Sequence, residues 1–368
     1  MPGPKILKFP AIFDRFSEDQ LFAAIPKIHM RQIFWDDLQE GDSVTLRVDL
    51  DPKLGYIYAL LSGDHNPLNF DLSFSNTLSD PAVRGKILVP GTLLLAFISA
   101  VGGCYLTGEN IYLEKKKEAL FHFPLSFDAK TLFIKGEIAR KYSQIVKGKE
   151  RYYAEIPETV LIQEDGKLIK AAETVAVAGV LKKIRPEGQE KSELIPEIRL
   201  NFPKIFAQLS ETDLKKELRP PLKNPSFKVG DSVEIQLTVS HKAILLYALI
   251  SGDYNPLHTD SQFAKNLKAF DGKNIAHGAL ISAWFSSGVL NLLGPGYRLI
   301  KKEEGIFKRA IKVNDAIIIK LRIIDKYSKI TNGTQHLYAT IEEKVFVKDG
   351  SGQLTEAAIS SSVYQLHY

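Results

Sequence analysis

The chain has almost no cysteine: Cys104 is the single one among 368 residues. One cysteine excludes a disulfide within the chain and a metal site built from several cysteines. Cys104 lies in an apolar run, so we expect a buried, inert thiol rather than a nucleophile.

Signals for secretion are also lacking. Residues 1–14 have neither the long apolar core nor the small-residue cleavage site of a secretory signal, so a cytoplasmic location is the default expectation. Two uncharged runs, residues 87–108 and 274–297, are long enough to suggest membrane spans. Both contain glycine, proline and small polar residues, and both are flanked by strand-like sequence. We therefore expect two buried core helices and no membrane span.

A strong charge imbalance is missing as well. The net charge is +5, which suits an anionic ligand or partner but does not indicate nucleic acid. Dense Lys/Arg strings are absent, and the short basic clusters are mixed with glutamate, as on an ordinary solvated surface. We expect no nucleic-acid partner.

An internal duplication organises the chain. Residues 58–71 and 247–260 are identical at 10 of 14 positions, and the same offset relates residues 41–44 to residues 230–233. Hydrophobic residues make up 45% and charged residues 25%, which are globular values. The length allows two domains, each with its own core.

Each repeat follows the same order of predicted elements. An alternating strand (44–50 or 233–239) leads to the repeated motif, then to an uncharged helix (90–106 or 278–293), then to several β-rich segments. Successive strands with short connections indicate an antiparallel sheet, and one such sheet around a single helix is an α+β arrangement. We predict an extension (1–29), a first domain (30–183), a linker (184–224) and a second domain (225–368).

The second copy of the motif carries groups suited to proton transfer. Asp253 and His258 are five residues apart in a segment broken by Asn255-Pro256, which favours a turn. A carboxylate and an imidazole on one irregular segment can share a water or a substrate proton. Taken alone, the string is more often a simple turn-rich loop, but its repetition within the chain favours a functional interpretation.

The start of the second uncharged helix supplies hydrogen-bond donors that complement the proton-transfer groups. His277-Gly278 opens the second uncharged helix, whose first turn offers free backbone N–H groups to a developing negative charge. Ser251, Asn255 and His277 are the second-tier candidates, for substrate binding; for Asn255 the fixing of the turn is the stronger interpretation, and His277 could equally pack at the helix start.

The first copy has lost the base. Asn69 stands where the second copy has His258, and Pro90 stands where it has His277. An amide cannot take up and release a proton near neutral pH, whereas imidazole, with a pKa of about 6.5, can. We predict one working site, in the second repeat.

The second motif resembles the signature of the MaoC-like dehydratases, whose (R)-specific enoyl-CoA hydratase members share the "hydratase 2" motif. The matching residues are Tyr247, Ser251, Gly252, Asp253, Asn255, Pro256, Leu257, His258 and Ala264. The resemblance covers about residues 32–180 and 225–368. It implies the hotdog fold, a curled antiparallel sheet wrapped around one central helix, twice in tandem and paired as an intramolecular pseudo-dimer.

The resemblance also implies an activity. Asp253 and His258 correspond to the family's catalytic dyad and Gly278 to its backbone oxyanion donor, while the degenerate first repeat makes room for the acyl chain. The reaction would be reversible hydration of trans-2-enoyl thioesters to (3R)-3-hydroxyacyl thioesters in fatty acid metabolism. The substrate would be an ester of CoA or acyl carrier protein, and no metal or redox cofactor is expected.

Two other functions remain open at this stage: a hotdog acyl-CoA thioesterase, and a non-catalytic protein that binds acyl thioesters. Both a monomer, with its two repeats paired internally, and a homodimer are compatible with the sequence.

Overall fold

The computed structural model describes residues 5–26, 33–108, 111–180, 193–219, 226–331 and 334–367. The predicted domain boundaries at 29/30, 183/184 and 224/225 lie outside these residues. The division into an extension, two domains and a linker therefore stays a prediction.

The helices are short except where they pass through the core. Among the described residues they are α1 (Glu18–Ala24), α2 (Pro52–Ser62), α3 (Leu72–Asn76), α4 (Gly91–Ala100), α5 (Glu211–Glu217), α6 (His241–Ser251), α7 (Pro256–Thr259), α8 (Ser261–Lys265) and α9 (Gly278–Leu293). A π-helical segment, Val101–Leu106, continues α4. None of the described helices has the length and apolarity needed to cross a membrane.

Most strands follow the central helix of their own repeat. They are β1 (Lys5–Ile6), β2 (Ser43–Asp49), β3 (Ile111–Lys116), β4 (Ala119–Phe121), β5 (Thr131–Glu137), β6 (Arg140–Val146), β7 (Lys149–Glu164), β8 (Lys167–Val180), β9 (Glu197–Leu200), β10 (Ser232–Thr238), β11 (Tyr297–Lys302), β12 (Gly305–Phe307), β13 (Ala316–Thr331), β14 (Thr334–Lys348) and β15 (Leu354–Leu366).

The strands of both repeats form one continuous sheet. Its order is β1-β10-β13-β14-β15-β11-β4-β8-β7-β5-β2-β9, with β3, β6 and β12 paired beside this path. Pairing within each repeat is antiparallel, and the repeats join where β11 pairs with β4 and β12 pairs with β3. The two halves are thus bonded through their backbones across the centre of the molecule.

The two uncharged runs are core helices, as predicted. α4 and α9 pack against each other, and each also lies against strands of its own half. α9 begins at Gly278 and ends before Gly294, whose φ of 74° is left-handed and stops the helix. The predicted α+β class is correct, since each half combines antiparallel strands with one central helix.

Each copy of the motif contains the end of a helix, followed by a glycine with a positive φ. Gly63 (φ 74°) follows the last residue of α2, and Gly252 (φ 78°) follows the last residue of α6. L side chains rarely adopt such φ values, which accounts for glycine at both positions. The sharp turn at Gly252 brings the next residue, Asp253, into the interior.

Candidate active site

Asp253 lies between the two repeats. It is only 1% exposed, and the hydroxyl of Ser99, on the first repeat's α4, donates to its Oδ2 at 2.8 Å. Burial raises the pKa of Asp253, and nearby His258 and the Ser99 hydroxyl oppose this shift. The carboxyl group therefore holds a proton more tightly than an exposed aspartate does.

His258 lies on α7, and one hydrogen bond holds its ring in a fixed orientation. Its Nδ1–H donates to the backbone carbonyl of Ile275 at 2.8 Å, which leaves Nε2 as the acceptor nitrogen. Burial lowers the pKa of His258, while Asp253 and the Ile275 carbonyl oppose this shift. A neutral imidazole with a free acceptor is the form that a general base requires.

The two side chains are close enough to share a water. One polar atom from each of Asp253, His258 and His277 lies within 4.8 Å of the others. Two imidazoles and a carboxylate are also ligand types for divalent metals. The expectation that no metal takes part stays a prediction.

His277 is behind the dyad rather than in the cavity wall. Its ring is fully buried and packs against the ring of His258, with centroids 3.8 Å apart and planes inclined by 31°. Its Nε2–H donates to the backbone carbonyl of Asp253 at 3.0 Å. Burial and then His258 lower the pKa of His277 well below its usual range. The ring supports both members of the dyad.

Ser251, like His277, does not line the cavity. Its hydroxyl accepts from the backbone N–H of Asp253 at 3.1 Å and donates to the carbonyl of Ala248 at 3.4 Å. The structure therefore brings neither Ser251 nor His277 to the cavity wall, and ligand contact by these two residues stays a prediction.

Asn255 does line the cavity and fixes the loop that carries the dyad. Its Oδ1 caps α7 by accepting from Leu257 N–H at 3.0 Å. Its Nδ2 donates to the carbonyls of Gly103 and Gly108, at 2.7 and 3.1 Å. These bonds tie the second repeat's loop to the end of the first repeat's helix.

Gly278 begins α9 beside the dyad. Within the described residues its backbone N–H has no protein acceptor, as expected for the first turn of a helix. A Cβ there would lie 3.0 Å from side-chain atoms of Leu113 and Phe307. Glycine thus lets a ligand approach a free donor that a larger residue would crowd.

These groups meet in one cavity of about 500 Å³ between the repeats. The second repeat contributes Asp253, Asn255, His258 and Gly278, and the first contributes much of the remaining wall. First-repeat residues in the wall include Leu95, Ser99, Gly102, Gly103, Ile111, Lys116, Ile156, Glu158, Ala176 and Ala178.

Cations surround the opening. Lys147 and Arg309 border the cavity and are exposed, and neither forms an ion pair with another described residue. Two exposed cations beside the cavity give an electrostatic attraction for an anionic ligand.

Sequence reasoning missed the contribution of Ser99. The duplication contained a signal, because aligning Gly91 with Gly278 matches Ser99 to Ser286, so both central helices carry a serine at the same step. Only the structure shows that Ser99 crosses to the carboxylate of the other repeat.

The first copy keeps the frame of the site without its base. Asn69 Nδ2 donates to the carbonyl of Leu88 at 3.0 Å, just as His258 bonds Ile275. The hydroxyl of Tyr297 lies 2.6 Å from Oδ1 of Asp64, the equivalent of Asp253. The equivalent site is therefore filled by a side chain.

Two central helices, a continuous curled sheet and one asymmetric Asp/His site define a double hotdog protein. A Mycobacterium tuberculosis protein described as having a double hotdog fold superposes with a TM-score of 0.63 at 15% identity, over 91% of this chain and 98% of that one. A MaoC domain protein from Chloroflexus aurantiacus superposes with a TM-score of 0.65 at 13% identity, over 91% and 97%. At such identities the likeness concerns the fold.

The second half of the chain is similar in sequence to a known family. Residues 226–337 match the model of the MaoC-like domain, so this part of the chain contains a MaoC-like domain. The (R)-specific enoyl-CoA hydratase of Rhodospirillum rubrum is 29% identical over 122 residues, which are 33% of this chain and 83% of that protein. The Aeromonas caviae protein of the same name is 27% identical over 135 residues, which are 36% and 94%.

Proposed function

We propose that the protein catalyses the reversible addition of water to trans-2-enoyl thioesters, giving (3R)-3-hydroxyacyl thioesters. The observation that carries the proposal is the meeting of Asp253, His258 and the free N–H of Gly278 in one cavity. The two relatives named (R)-specific enoyl-CoA hydratase support the same reaction and the same stereochemistry.

The dyad would activate the water. A water between Asp253 and His258 Nε2 gives up a proton to the pair as its oxygen bonds to C3 of the substrate. The pair returns one proton to C2, so it ends the cycle in its starting protonation state. General acid–base catalysis of this kind typically contributes about 10²–10⁴-fold.

The N–H of Gly278 would bind the thioester oxygen. Negative charge builds on that oxygen while the electron pair of the double bond moves toward C2. A fixed donor stabilises this charge more than the ground state, and loss of one such donor typically costs roughly 2.7–4 kcal/mol. The chemistry needs no redox step.

The positive charge at the rim of the cavity is complementary to the negative charge of either acyl carrier. Lys147 and Arg309 would meet the phosphates of CoA or the acidic surface of an acyl carrier protein. Comparing one acyl chain on both carriers, with wild type and with Arg309→Ala, separates the two: the true carrier is the one whose KM rises in the variant.

The first test is an absorbance assay with crotonyl-CoA and longer trans-2-enoyl-CoA esters. We expect the absorbance of the conjugated thioester to fall and chiral analysis to give the (3R) product. Asp253→Asn, which keeps the side-chain volume, should lose most of the activity while its circular dichroism is unchanged. Release of free thiol would instead indicate a thioesterase, and binding without turnover across all chain lengths would indicate a non-catalytic acyl-binding protein.

A further inference from the structure

A buried ion pair lies in the cavity wall. Lys116 Nζ is 3.2 Å from Oε2 of Glu158, and the Glu158 side chain is only 1% exposed. Burial raises the pKa of Glu158 to about 7, and Lys116 opposes this shift. Among the described residues, no other side chain pairs with Glu158. A buried carboxyl group with a single partner is costly, because its remaining hydrogen-bonding capacity is unused.

The pair is near the dyad because of two adjacent glycines. A Cβ on Gly102 would lie 2.5 Å from Oε1 of Glu158, and a Cβ on Gly103 would lie 3.4 Å from Oδ2 of Asp253. The two carboxylates therefore flank neighbouring steps of the same helix. A ligand that reacts beside Asp253 would reach Glu158 with the next part of its chain.

The second repeat contains the same ion pair with a complete set of donors. Lys302 pairs with Glu343, and Oε2 of Glu343 also accepts from Ser360 at 2.7 Å. Its Oε1 accepts from the Tyr364 hydroxyl at 3.3 Å, and Lys302 donates to Ser362 at 3.3 Å. Every oxygen of this carboxylate is bonded.

Strand register shows which residues replace these hydroxyls in the first repeat. Glu343 is opposite Ser360 and Lys302 is opposite Ser362, whereas Glu158 is opposite Thr174 and Lys116 is opposite Ala176. The Thr174 hydroxyl donates elsewhere, to the carbonyl of Lys117 at 3.3 Å.

Tyr364 is replaced by Ala178. Tyr364 is opposite Ala339 and Leu299, and Ala178 is opposite Ala154 and Leu113, in equivalent strands. Ala176 and Ala178 both line the cavity. The space that hydroxyl-bearing side chains fill in one repeat is thus open in the other.

The tyrosines beside Asp64 and Glu343 show what kind of group the cavity beside Asp253 and Glu158 can accommodate. Tyr297 reaches Asp64 and Tyr364 reaches Glu343, with the two rings edge to face, 5.5 Å apart. In the first repeat the position of Tyr297 is taken by Ile111, a cavity residue. Two phenols therefore connect Asp64 of the first repeat to Glu343 of the second, where a ligand would connect Asp253 of the second repeat to Glu158 of the first.

Building on the hydration activity proposed above, we propose that the preferred acyl group carries a neutral hydroxyl beyond C3, which donates a hydrogen bond to Glu158. This hydroxyl would take the role that the Tyr364 hydroxyl has at Glu343. A plain alkyl chain would exclude water from the ion pair without supplying a hydrogen-bond donor in its place. A second carboxylate would be repelled by Glu158 and Asp253, and a cation would be repelled by Lys116.

The test compares CoA esters that differ by one hydroxyl: trans-2-hexenoyl with 6-hydroxy-trans-2-hexenoyl, and trans-2-octenoyl with 8-hydroxy-trans-2-octenoyl. We expect the wild-type kcat/KM to favour the hydroxylated ester of at least one pair by about tenfold or more, since a site built around a hydrogen bond rejects an analogue that lacks it. Equal or better use of both plain esters overturns the proposal.

The double variant Lys116→Met/Glu158→Leu identifies the ion pair as the cause. Replacing both members with apolar groups leaves no unpaired charge, and we expect the preference to disappear or to reverse toward the plain ester. Lys302→Met/Glu343→Leu is the matched control in the other repeat, where Ser360 and Tyr364 already complete the pair, and we expect it to keep the wild-type ratio. A ratio that survives in the double variant overturns the assignment to Glu158.

Failure of the hydration proposal would be visible separately. If neither ester of a pair loses its conjugated absorbance, the proposed reaction is wrong. Calorimetric Kd values for the same esters then still test the hydroxyl preference: tighter binding of a hydroxylated ester supports it, and equal Kd values for both pairs overturn it.

Discussion

Asn69 and His258 make the same hydrogen bond from equivalent positions of the two repeats. The amide N–H of Asn69 donates to Leu88 at 3.0 Å, and the Nδ1–H of His258 donates to Ile275 at 2.8 Å. Asparagine therefore keeps the structural half of the histidine's function, which fixes the loop to the strand-like segment before the central helix. It lacks the second nitrogen, which is the one free to accept a proton.

His258→Asn should consequently separate structure from chemistry. The new amide can keep the bond to Ile275, as Asn69 does to Leu88, so we expect a thermal unfolding midpoint near that of wild type. Hydration of crotonyl-CoA should fall by roughly 10²–10⁴-fold, the usual size of a general acid–base contribution. Activity within a few-fold of wild type would refute the assignment of His258 as base.

The converse variant, Asn69→His, is the matched control. It adds an imidazole to the first copy, but Tyr297 already occupies the space beside Asp64. We expect no added activity when it is combined with His258→Asn. Recovered turnover in that double variant would show that the first copy can still bind a substrate.

The sequence was sufficient for the duplication and the two core helices, because each is a local pattern of identity or polarity, and it predicts Asp253 and His258 as a catalytic pair from their spacing. It could not show Ser99 reaching Asp253, since this contact joins residues 154 positions apart across the two repeats. The burial of the Glu158–Lys116 pair could not be predicted from the sequence for a related reason. A glutamate in an alternating strand indicates a solvated face, and only the packing of Gly102 against it reveals burial.

The pH profile of the proposed hydration should reflect the opposite pKa shifts of Asp253 and His258. Burial raises the pKa of Asp253 from 3.8 and lowers the pKa of His258 from 6.5. Activity needs the ionised carboxylate and the neutral imidazole, so it should fall on the acid side as the pH drops through the raised pKa of Asp253, at a pH above 3.8. Because the two groups interact, the apparent pKa belongs to the pair. A kcat/KM profile with its acid limb at or below pH 3.8 contradicts this.

Ser99→Ala tests whether the first repeat positions and tunes the carboxylate. Its hydroxyl bond favours the ionised form of Asp253, so its loss should move the acid limb of the profile to higher pH. We expect kcat to fall about tenfold at neutral pH, which corresponds to one lost hydrogen bond to a charged group. Ser286→Ala, at the equivalent step of α9, is the control. An unshifted acid limb in Ser99→Ala would mean that the serine only fills space.

Chelation distinguishes proton transfer from metal chemistry at the same residues. Asp253, His258 and His277 are close enough to be considered as ligands, yet the Nδ1 of His258 and the Nε2 of His277 are both committed to backbone carbonyls. We expect dialysis against EDTA to leave kcat/KM unchanged and added Zn²⁺ to inhibit by competing for the dyad. Loss of activity on dialysis, with recovery on adding a divalent metal, would assign the three residues to a metal centre.

Asp64 should make stability depend on pH. Burial raises its pKa from 3.8 to about 7, so the folded protein binds a proton that the unfolded chain releases more readily. The stability from this group is full below about pH 3.8 and is lost as the pH rises through about 7. A protonated Asp64 can donate to the Tyr297 oxygen while the Tyr297 hydroxyl donates to the carbonyl of Ser286, 3.1 Å away. Asp64→Asn keeps a donor at every pH, so its unfolding midpoint should fall less than that of wild type between pH 5 and 8, by a few degrees. The exposed-site variant Asp36→Asn should follow wild type, and parallel curves for Asp64→Asn and wild type would show that Asp64 does not titrate in this range.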